Sequence, residues 1–146
     1  MKNIIVLTHG AFAQGIVQSC EFLMGTLENI KCMSITLEDD FTDLANRLKD
    51  LIESFHNNYP TVIVTDIPGG STTQIALKIS EGKDNIFILT GLNLALLISL
   101  ITANLTNNHE INLNLLKTVV HEGQMSLMLL SEDISDIDFI NDDGEL

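Results

Sequence analysis

The most informative stretch of the sequence is Ile4-Ile5-Val6-Leu7-Thr8-His9-Gly10 (IIVLTHG), close to the beginning of the chain. Three of its four consecutive apolar residues branch at Cβ, which predicts a short strand buried on both faces. Beyond it, apolar residues recur at helical spacing until Gly25, which can close a helix; they are Phe12, Ile16, Val17, Cys20, Leu23 and Met24. The stretch therefore begins a βα unit, with Thr8-His9-Gly10 as the connection.

The same alternation of strand and helix patterns continues along the chain. Further strands are predicted at Ile30–Leu37, Thr61–Thr65, Asn85–Thr90 and, last, Met125–Leu130. Helical periodicity lies between them: over Phe41–Phe55, through Ile75, Ala76 and Ile79, over Asn93–Leu105 and over Leu113–Gln124. Four βα units with short loops predict an α/β fold with a doubly wound, mostly parallel sheet, for which we expect the strand order 2-1-3-4.

The composition limits the classes of function that are open to the chain. It has 146 residues, with 20 Asp or Glu against 7 Lys or Arg, and a net charge of −13. The length fits one domain, and the acidic balance excludes nucleic acid, because binding to a phosphate backbone needs a basic surface. Seven of the acidic residues and no basic residue fall in 131–146. We therefore predict a domain over 1–130 and a flexible acidic tail over 131–146.

The sequence favours a cytoplasmic location. Cys20 and Cys32 lie in apolar periodic segments without CxxC or metal spacing, as in a reduced protein. The first apolar run, Ile4–Leu7, is too short for the core of an export signal. The longest apolar stretch, Leu92–Leu105, is interrupted by polar residues and too short to cross a bilayer, so it predicts a buried helix.

Two loops pair reactive side chains with glycines, and both follow strands that are expected to be neighbours. Ligands of open α/β sheets bind beyond the carboxyl ends of the strands, where the strand order reverses. With the order 2-1-3-4 that point lies between strands one and three, and the loops that leave these strands contain His9 and Asp66. A carboxylate behind an imidazole fixes its tautomer, which suits a nucleophilic or phosphoryl-accepting histidine. We therefore predict His9 and Asp66 as the catalytic pair.

The loop after Asp66 has the features of an anion site. Gly69 and Gly70 allow close approach of a ligand, and Ser71 leads into a helix whose first N–H groups can bind an anion. Ser71 is expected both to cap this helix and to donate a hydrogen bond. No GxxxxGK[ST] motif and no nearby lysine support a nucleoside triphosphate. The histidines are far apart in sequence, and we expect no metal and no cofactor.

At these residues the sequence resembles the mannose-type (mannose, fructose and sorbose) enzyme IIA components of the bacterial phosphoenolpyruvate-dependent sugar phosphotransferase system. The resemblance covers essentially all of residues 1–130. It rests on four motifs at successive βα junctions: Thr8-His9-Gly10 with Phe12-Ala13 and Gly15, Gly25 with Glu28-Asn29-Ile30, Thr65-Asp66 with Gly69-Gly70-Ser71, and Thr90-Gly91-Leu92-Asn93.

The resemblance implies a phosphoryl relay. His9 would take a phosphoryl group from the phosphohistidine of the carrier protein HPr and pass it to a IIB domain, which phosphorylates sugar entering through the IIC/IID membrane permease. Asp66 would be the partner carboxylate of His9, and Gly69, Gly70 and Ser71 would bind the phosphoryl group. It also implies a homodimer that exchanges the last strand, and a protein that is cytoplasmic or peripheral to the permease.

The chain departs from the family pattern beside the predicted site. Ile67-Pro68 stands where an aromatic residue often precedes the glycines, Thr72 where proline is common, and Leu94-Ala95 where the pattern commonly runs to a proline. These changes bear on the partner and the sugar more than on the chemistry. They are compatible with a less common sugar branch of the family.

Three other functions remain open on the sequence. One is the phosphocarrier subunit that feeds dihydroxyacetone kinase, which would be expected to continue into further phosphocarrier domains. Another is a regulatory module in which phosphorylation of His9 is a signal, expected beside a DNA-binding segment. A small hydrolase or a flavodoxin-like nucleotide-binding protein is disfavoured, because the chain has neither a nucleophile elbow nor a Walker motif.

Overall fold

Four parallel strands form a single sheet in the order β2-β1-β3-β4, as the sequence predicted. A computed structural model describes residues 1–133. The strands are β1 (Asn3–His9), β2 (Ile30–Ile35), β3 (Thr61–Thr65) and β4 (Ile86–Thr90). The helices are α1 (Phe12–Met24), α2 (Phe41–Glu53), α3 (Ser71–Ser80), α4 (Leu94–Thr102), α5 (His109–Met125) and α6 (Leu130–Asp133).

Helices cover both faces of the sheet. Successive side chains of a strand point to opposite faces, and in β1 both sets are apolar. Even-numbered residues of β1, such as Ile4 and Val6, pack with α1, α4 and α5. Odd-numbered residues, Ile5 and Leu7, pack with α2 and α3. The central strands β1 and β3 are therefore apolar on both sides, and each face of the sheet has its own core.

Short polar side chains define where three helices begin. The Asp40 carboxylate accepts hydrogen bonds from two backbone N–H groups in the first turn of α2. Asn93 caps α4 and Asn108 caps α5 in the same manner. Because Asn108 starts α5 at His109, this helix begins four residues before the predicted Leu113.

The apolar helix α4 is part of the core. Its residues Leu96, Leu97 and Leu100 are buried between the sheet and α5, which confirms the prediction of a buried helix. Among residues 1–133, the helices are all too short or too polar to cross a membrane.

The predicted last strand, Met125–Leu130, is wrong for the single chain. Met125 is the last residue of α5, Leu127–Leu129 have no regular structure, and Leu130 begins α6. A strand needs a neighbouring strand to bond its backbone groups, and this segment finds none within residues 1–133. The predicted tail lies, from residue 134 onward, outside the described residues.

Two helical glycines make a matched test of the packing between α4 and α5. A Cβ on Gly123 would lie 2.7 Å from Leu96 Cβ, whereas a Cβ on Gly15 in α1 would meet nothing within 4 Å. We expect Gly123→Ala to lower the free energy of unfolding by about 1–3 kcal/mol, since overpacking forces the helices apart. Gly15→Ala should raise it by about 0.5–1 kcal/mol through helix propensity. Urea denaturation measures both; equal effects would contradict the close contact.

Candidate functional site

β1 delivers His9 to the carboxyl edge of the sheet on the face that α3 covers. The period of two places the His9 side chain on the same face as Ile5 and Leu7. The preceding residue, Thr8, is buried, and its hydroxyl accepts a hydrogen bond from Ala13 N–H in the first turn of α1. Gly10 then turns the chain with a φ of +57°, a conformation that glycine adopts at little cost. The His9 imidazole is 44% exposed as a result.

Asp66 lies beside His9 because it directly follows Thr65, the last residue of β3. The N–H groups of odd-numbered β1 residues face β3, as Asn3 N–H does when it donates to the Pro60 carbonyl. The ladder between β1 and β3 ends at Leu7 and Thr65. The N–H of His9 therefore donates to the Asp66 carboxylate oxygen Oδ2, at 2.8 Å. The same oxygen lies 2.8 Å from His9 Nδ1. One carboxylate oxygen thus holds both the backbone and the ring of His9.

The other Asp66 oxygen is bound from the opposite side. Oδ1 accepts hydrogen bonds from the Ile67 N–H and from the Thr72 hydroxyl, each at 3.0 Å. Burial, which leaves the Asp66 side chain only 9% exposed, would by itself raise the pKa of this carboxyl. The hydrogen bonds from the His9 backbone, the His9 ring and Thr72 outweigh burial and hold its pKa below the ordinary value of 3.8. Asp66 is therefore a satisfied anion at neutral pH.

Ser71 approaches His9 from the other ring nitrogen. Its Oγ lies 3.2 Å from His9 Nε2, so the imidazole stands between Asp66 and Ser71. The expectation that Ser71 caps the helix is wrong: Gly70 is the N-cap of α3, and no side chain caps the first turn. Ser71 is the first residue of α3, and its hydroxyl points to the imidazole. The first N–H groups of α3 therefore have no side-chain cap.

The two glycines before Ser71 have different reasons to be glycine. Gly69 adopts a φ of +76°, which disfavours other residues. Gly70 lies against the histidine: a Cβ there would be 3.4 Å from His9 Cε1 and 3.3 Å from the Ile67 carbonyl oxygen. The five residues predicted from the sequence thus lie at the end of β1 and in the segment that leads from β3 into α3; they are His9, Asp66, Gly69, Gly70 and Ser71.

Thr72 is a residue of this site that the sequence did not reveal as functional. It is buried in the first turn of α3 and reaches Asp66 Oδ1 through its hydroxyl. Three consecutive hydroxyl residues, Ser71, Thr72 and Thr73, follow the glycines, and the helix phase decides which of them faces Asp66. That phase depends on where α3 starts, so the only sequence signal was the departure of Thr72 from the family pattern.

A groove of about 880 Å³ opens beside His9, along the loop that follows β2. Its walls are largely apolar and include Ile35, Leu37 and Phe41, with Glu38 and Asp39 as charged members. Leu37 is fully exposed and Phe41 is partly so. No Lys or Arg is among the described residues that line the groove. The histidine therefore stands at the edge of an apolar surface rather than in a deep pocket.

His109 and the two cysteines lie away from this site. His109 Nδ1–H donates to the Asp84 carbonyl, and its ring stacks on Phe87. Cys20 is buried and Cys32 half-buried, and burial raises the pKa of both thiols, which suits core residues. Over residues 1–133, no three His, Cys, Asp or Glu side chains come together as a metal site would require.

Comparison with known proteins shows the family of this chain. A profile described as "PTS system fructose IIA component" matches residues 3–116, the greater part of the chain and all four strands. The chain belongs to this family. It is thus a phosphoryl-relay component of a sugar phosphotransferase system, and the resemblance inferred from the four motifs is confirmed.

Solved structures of similar proteins support the same family. A IIA protein associated with the fucose utilization operon of Streptococcus pneumoniae is 25% identical; the match covers 91% of this chain and 96% of that one, with a TM-score of 0.78. The IIA component of Streptococcus agalactiae is 21% identical over 90% and 99%, at 0.78. The mannose/sorbose-specific IIA subunit of Enterococcus faecalis is 23% identical over 88% and 95%, at 0.75. The last two likenesses establish the fold.

The lowered pKa of Asp66 predicts how stability depends on pH. An ionised Asp66 stabilises the fold above the unfolded value of 3.8, and this stabilisation is lost as the pH falls through the lower folded value. Asp66→Asn should therefore cost about 1–3 kcal/mol at neutral pH, and the difference from the unchanged protein should narrow below about pH 4. Urea denaturation across this range measures it. A difference that is the same at every pH would contradict the ionised state of Asp66.

Proposed function

We propose that His9 Nε2 is the atom of this chain that carries the phosphoryl group. The observation that supports this most strongly is the position of the imidazole between the Asp66 carboxylate at Nδ1 and the Ser71 hydroxyl at Nε2. A carboxylate accepts hydrogen bonds but does not donate when ionised, so Nδ1 carries the proton in the neutral ring. Nε2 then presents a lone pair toward Ser71 and the groove.

The transfer follows from this tautomer. The Nε2 lone pair attacks the phosphorus of a phosphohistidine on the donor protein, a new N–P bond forms at His9, and the N–P bond of the donor breaks with its electron pair returning to the donor nitrogen. His9 gains positive charge as its Nε2 becomes bonded to phosphorus. Asp66 offsets that charge through Nδ1–H without having to accept the proton. Transfer to the acceptor reverses these bond changes.

The loop between β3 and α3 supplies donors for the phosphoryl oxygens. Ser71 is within reach of Nε2, so on phosphorylation its hydroxyl can turn to donate to a phosphoryl oxygen. The first turn of α3 has no side-chain cap, which leaves its N–H groups free to bind oxygen at the positive end of the helix dipole. Gly69 and Gly70 keep side chains out of this space.

The surroundings of His9 suit two protein partners that bind one after the other. A ring that is nearly half exposed beside an apolar groove is accessible to another protein's active-site loop. We assign phospho-HPr as the donor and a IIB component as the acceptor. This relay would run in the cytoplasm, and the IIC/IID permease would act downstream of it in the membrane. The catalytic domain spans residues 1–130, and the acidic tail is not needed for the chemistry.

The open edge of β4 supports a homodimer in which the segment after α5 pairs with a second copy. Within residues 1–133, β4 bonds only to β3. Beside it lies an apolar groove of about 440 Å³, lined in part by Leu77, Ile88 and Val120. The segment Leu127–Leu130 is apolar and exposed in the single chain. Added to β4 of another copy it would satisfy an edge strand and bury these side chains.

Phosphorylation of His9 can be measured directly. Incubation with phosphoenolpyruvate, enzyme I and HPr should add one acid-labile, base-stable phosphoryl group per chain, and His9→Ala should abolish it because the only accepting nitrogen is lost. Intact-protein mass spectrometry before and after acid treatment counts the groups. His121→Ala is the matched control, since His121 is exposed on α5, and it should keep the label.

Label on the His9→Ala protein would contradict the assignment of the accepting residue. Onward transfer separates the two candidate destinations. Loss of the label to a IIB component supports sugar uptake, whereas loss only to a dihydroxyacetone kinase subunit would replace IIB as the acceptor.

A charge placed in the exchanged segment tests the dimer. Leu129→Asp should convert the protein from dimer to monomer at micromolar concentration, because the carboxylate would be buried against the β4 groove. Leu37→Asp, at a fully exposed leucine outside that groove, should keep the dimer mass. Sedimentation equilibrium gives both masses. A Leu129→Asp protein that remains dimeric, or an unchanged protein that is monomeric, would overturn the proposal.

A further inference from the structure

Thr72 connects the anion loop to the catalytic pair through one hydrogen bond. Its hydroxyl donates to Asp66 Oδ1 at 3.0 Å, while Asp66 Oδ2 accepts from both the backbone and the ring of His9 at 2.8 Å. The carboxylate therefore joins β1 to the first turn of α3. Each of its oxygens is held by two donors, so rotation about the Asp66 side chain would break several bonds together.

We propose that Thr72 is a positioning residue for phosphoryl transfer, which holds the Asp66 carboxylate in the orientation that directs His9 Nε2 toward the donors of α3. This inference rests on the proposed role of His9 as the accepting residue. Thr72 does not touch the reacting atoms. It acts through Asp66, and Asp66 acts through His9.

The burial of Thr72 makes this hydroxyl hard to replace. Thr72 is 0% exposed, so solvent does not reach its position to supply another donor. Without the hydroxyl, Asp66 Oδ1 would keep only the Ile67 N–H. A buried acceptor that loses a donor bears the cost of its desolvation, and the carboxylate would be free to turn toward whatever donor it can reach.

The neighbouring hydroxyl residues have other partners and do not duplicate this contact. Ser71 Oγ lies against His9 Nε2. The Thr73 hydroxyl donates to the Ile67 carbonyl at 2.8 Å and lies 2.7 Å from the Thr65 hydroxyl, and it makes no hydrogen bond to Asp66. Thr72 is thus the one residue of this hydroxyl run that is bonded to the carboxylate. Thr73, which is also buried, provides a matched control in the same helical turn.

The relay gives this positioning a function. When Nε2 gains the phosphoryl group, the positive charge on the imidazole must be met by a carboxylate that stays aligned with Nδ1–H. The phosphoryl oxygens must at the same time lie at the first turn of α3. Since Thr72 belongs to that turn and bonds to Asp66, it fixes the distance between the two sets of contacts.

The test compares Thr72→Val, Thr72→Ser and Thr73→Val in two measurements. One is the rate of phosphoryl transfer from phospho-HPr, followed by rapid quench. The other is the titration of the Asp66 carboxyl carbon by NMR, which needs no phosphoryl donor. Thr72→Val should slow transfer about tenfold, the scale of a hydrogen bond to a charged group, and raise the pKa of Asp66, because a donor to the ionised form is lost.

Thr72→Ser keeps the hydroxyl and should restore both the rate and the titration to near those of the unchanged protein. Thr73→Val should leave the Asp66 titration where it is, whatever it costs in stability. Transfer at the unchanged rate by Thr72→Val, or slower transfer without any movement of the Asp66 titration, would overturn the positioning role. Label on His9→Ala would instead overturn the proposed function, and the Asp66 titration would still report whether Thr72 holds the carboxylate.

Discussion

The Asp66 carboxylate is the contact on which the arrangement of the site depends. It accepts the last N–H that β1 presents toward β3, and it also accepts from the His9 ring. Because β3 ends at Thr65, a side chain takes the place of the carbonyl that would continue the ladder. The end of one strand is thereby converted into an orienting group for the histidine at the end of its neighbour.

The placement of charge in this site suits the proposed binding of a phosphoryl group by an acidic protein. The chain carries a net charge of −13, and no Lys or Arg lines the described part of the groove at His9. Backbone N–H groups, a hydroxyl and the positive end of α3 can bind phosphoryl oxygens without a fixed cation. A site without a fixed cation would bind the group less tightly, which suits a relay in which the group must leave again.

Periodicity was enough to predict the sheet, because β1 and β3 are buried on both faces and their apolar runs are continuous. It failed at Met125–Leu130, where an apolar run of strand character has no neighbour to pair with in the single chain. A local sequence pattern shows which side chains of a segment favour burial. It does not show whether a neighbouring strand is available to bond the backbone of that segment. Local pattern also misplaced the start of α3: it predicts Ser71 as the N-cap, whereas the N-cap is Gly70.

From spacing along the chain alone, one could predict the four parallel strands and their order, and that His9 and Asp66, which we propose as the reactive pair, follow neighbouring strands. These follow from spacing along the chain and from the rule that ligands bind where parallel strands diverge. The folded chain was needed to show which oxygen of Asp66 meets which nitrogen of His9, and that Thr72 rather than Ser71 or Thr73 bonds to the carboxylate. The reason is that these contacts depend on the phase at which α3 begins and on the point where β3 ends beside β1, and both are set by packing between elements distant in sequence.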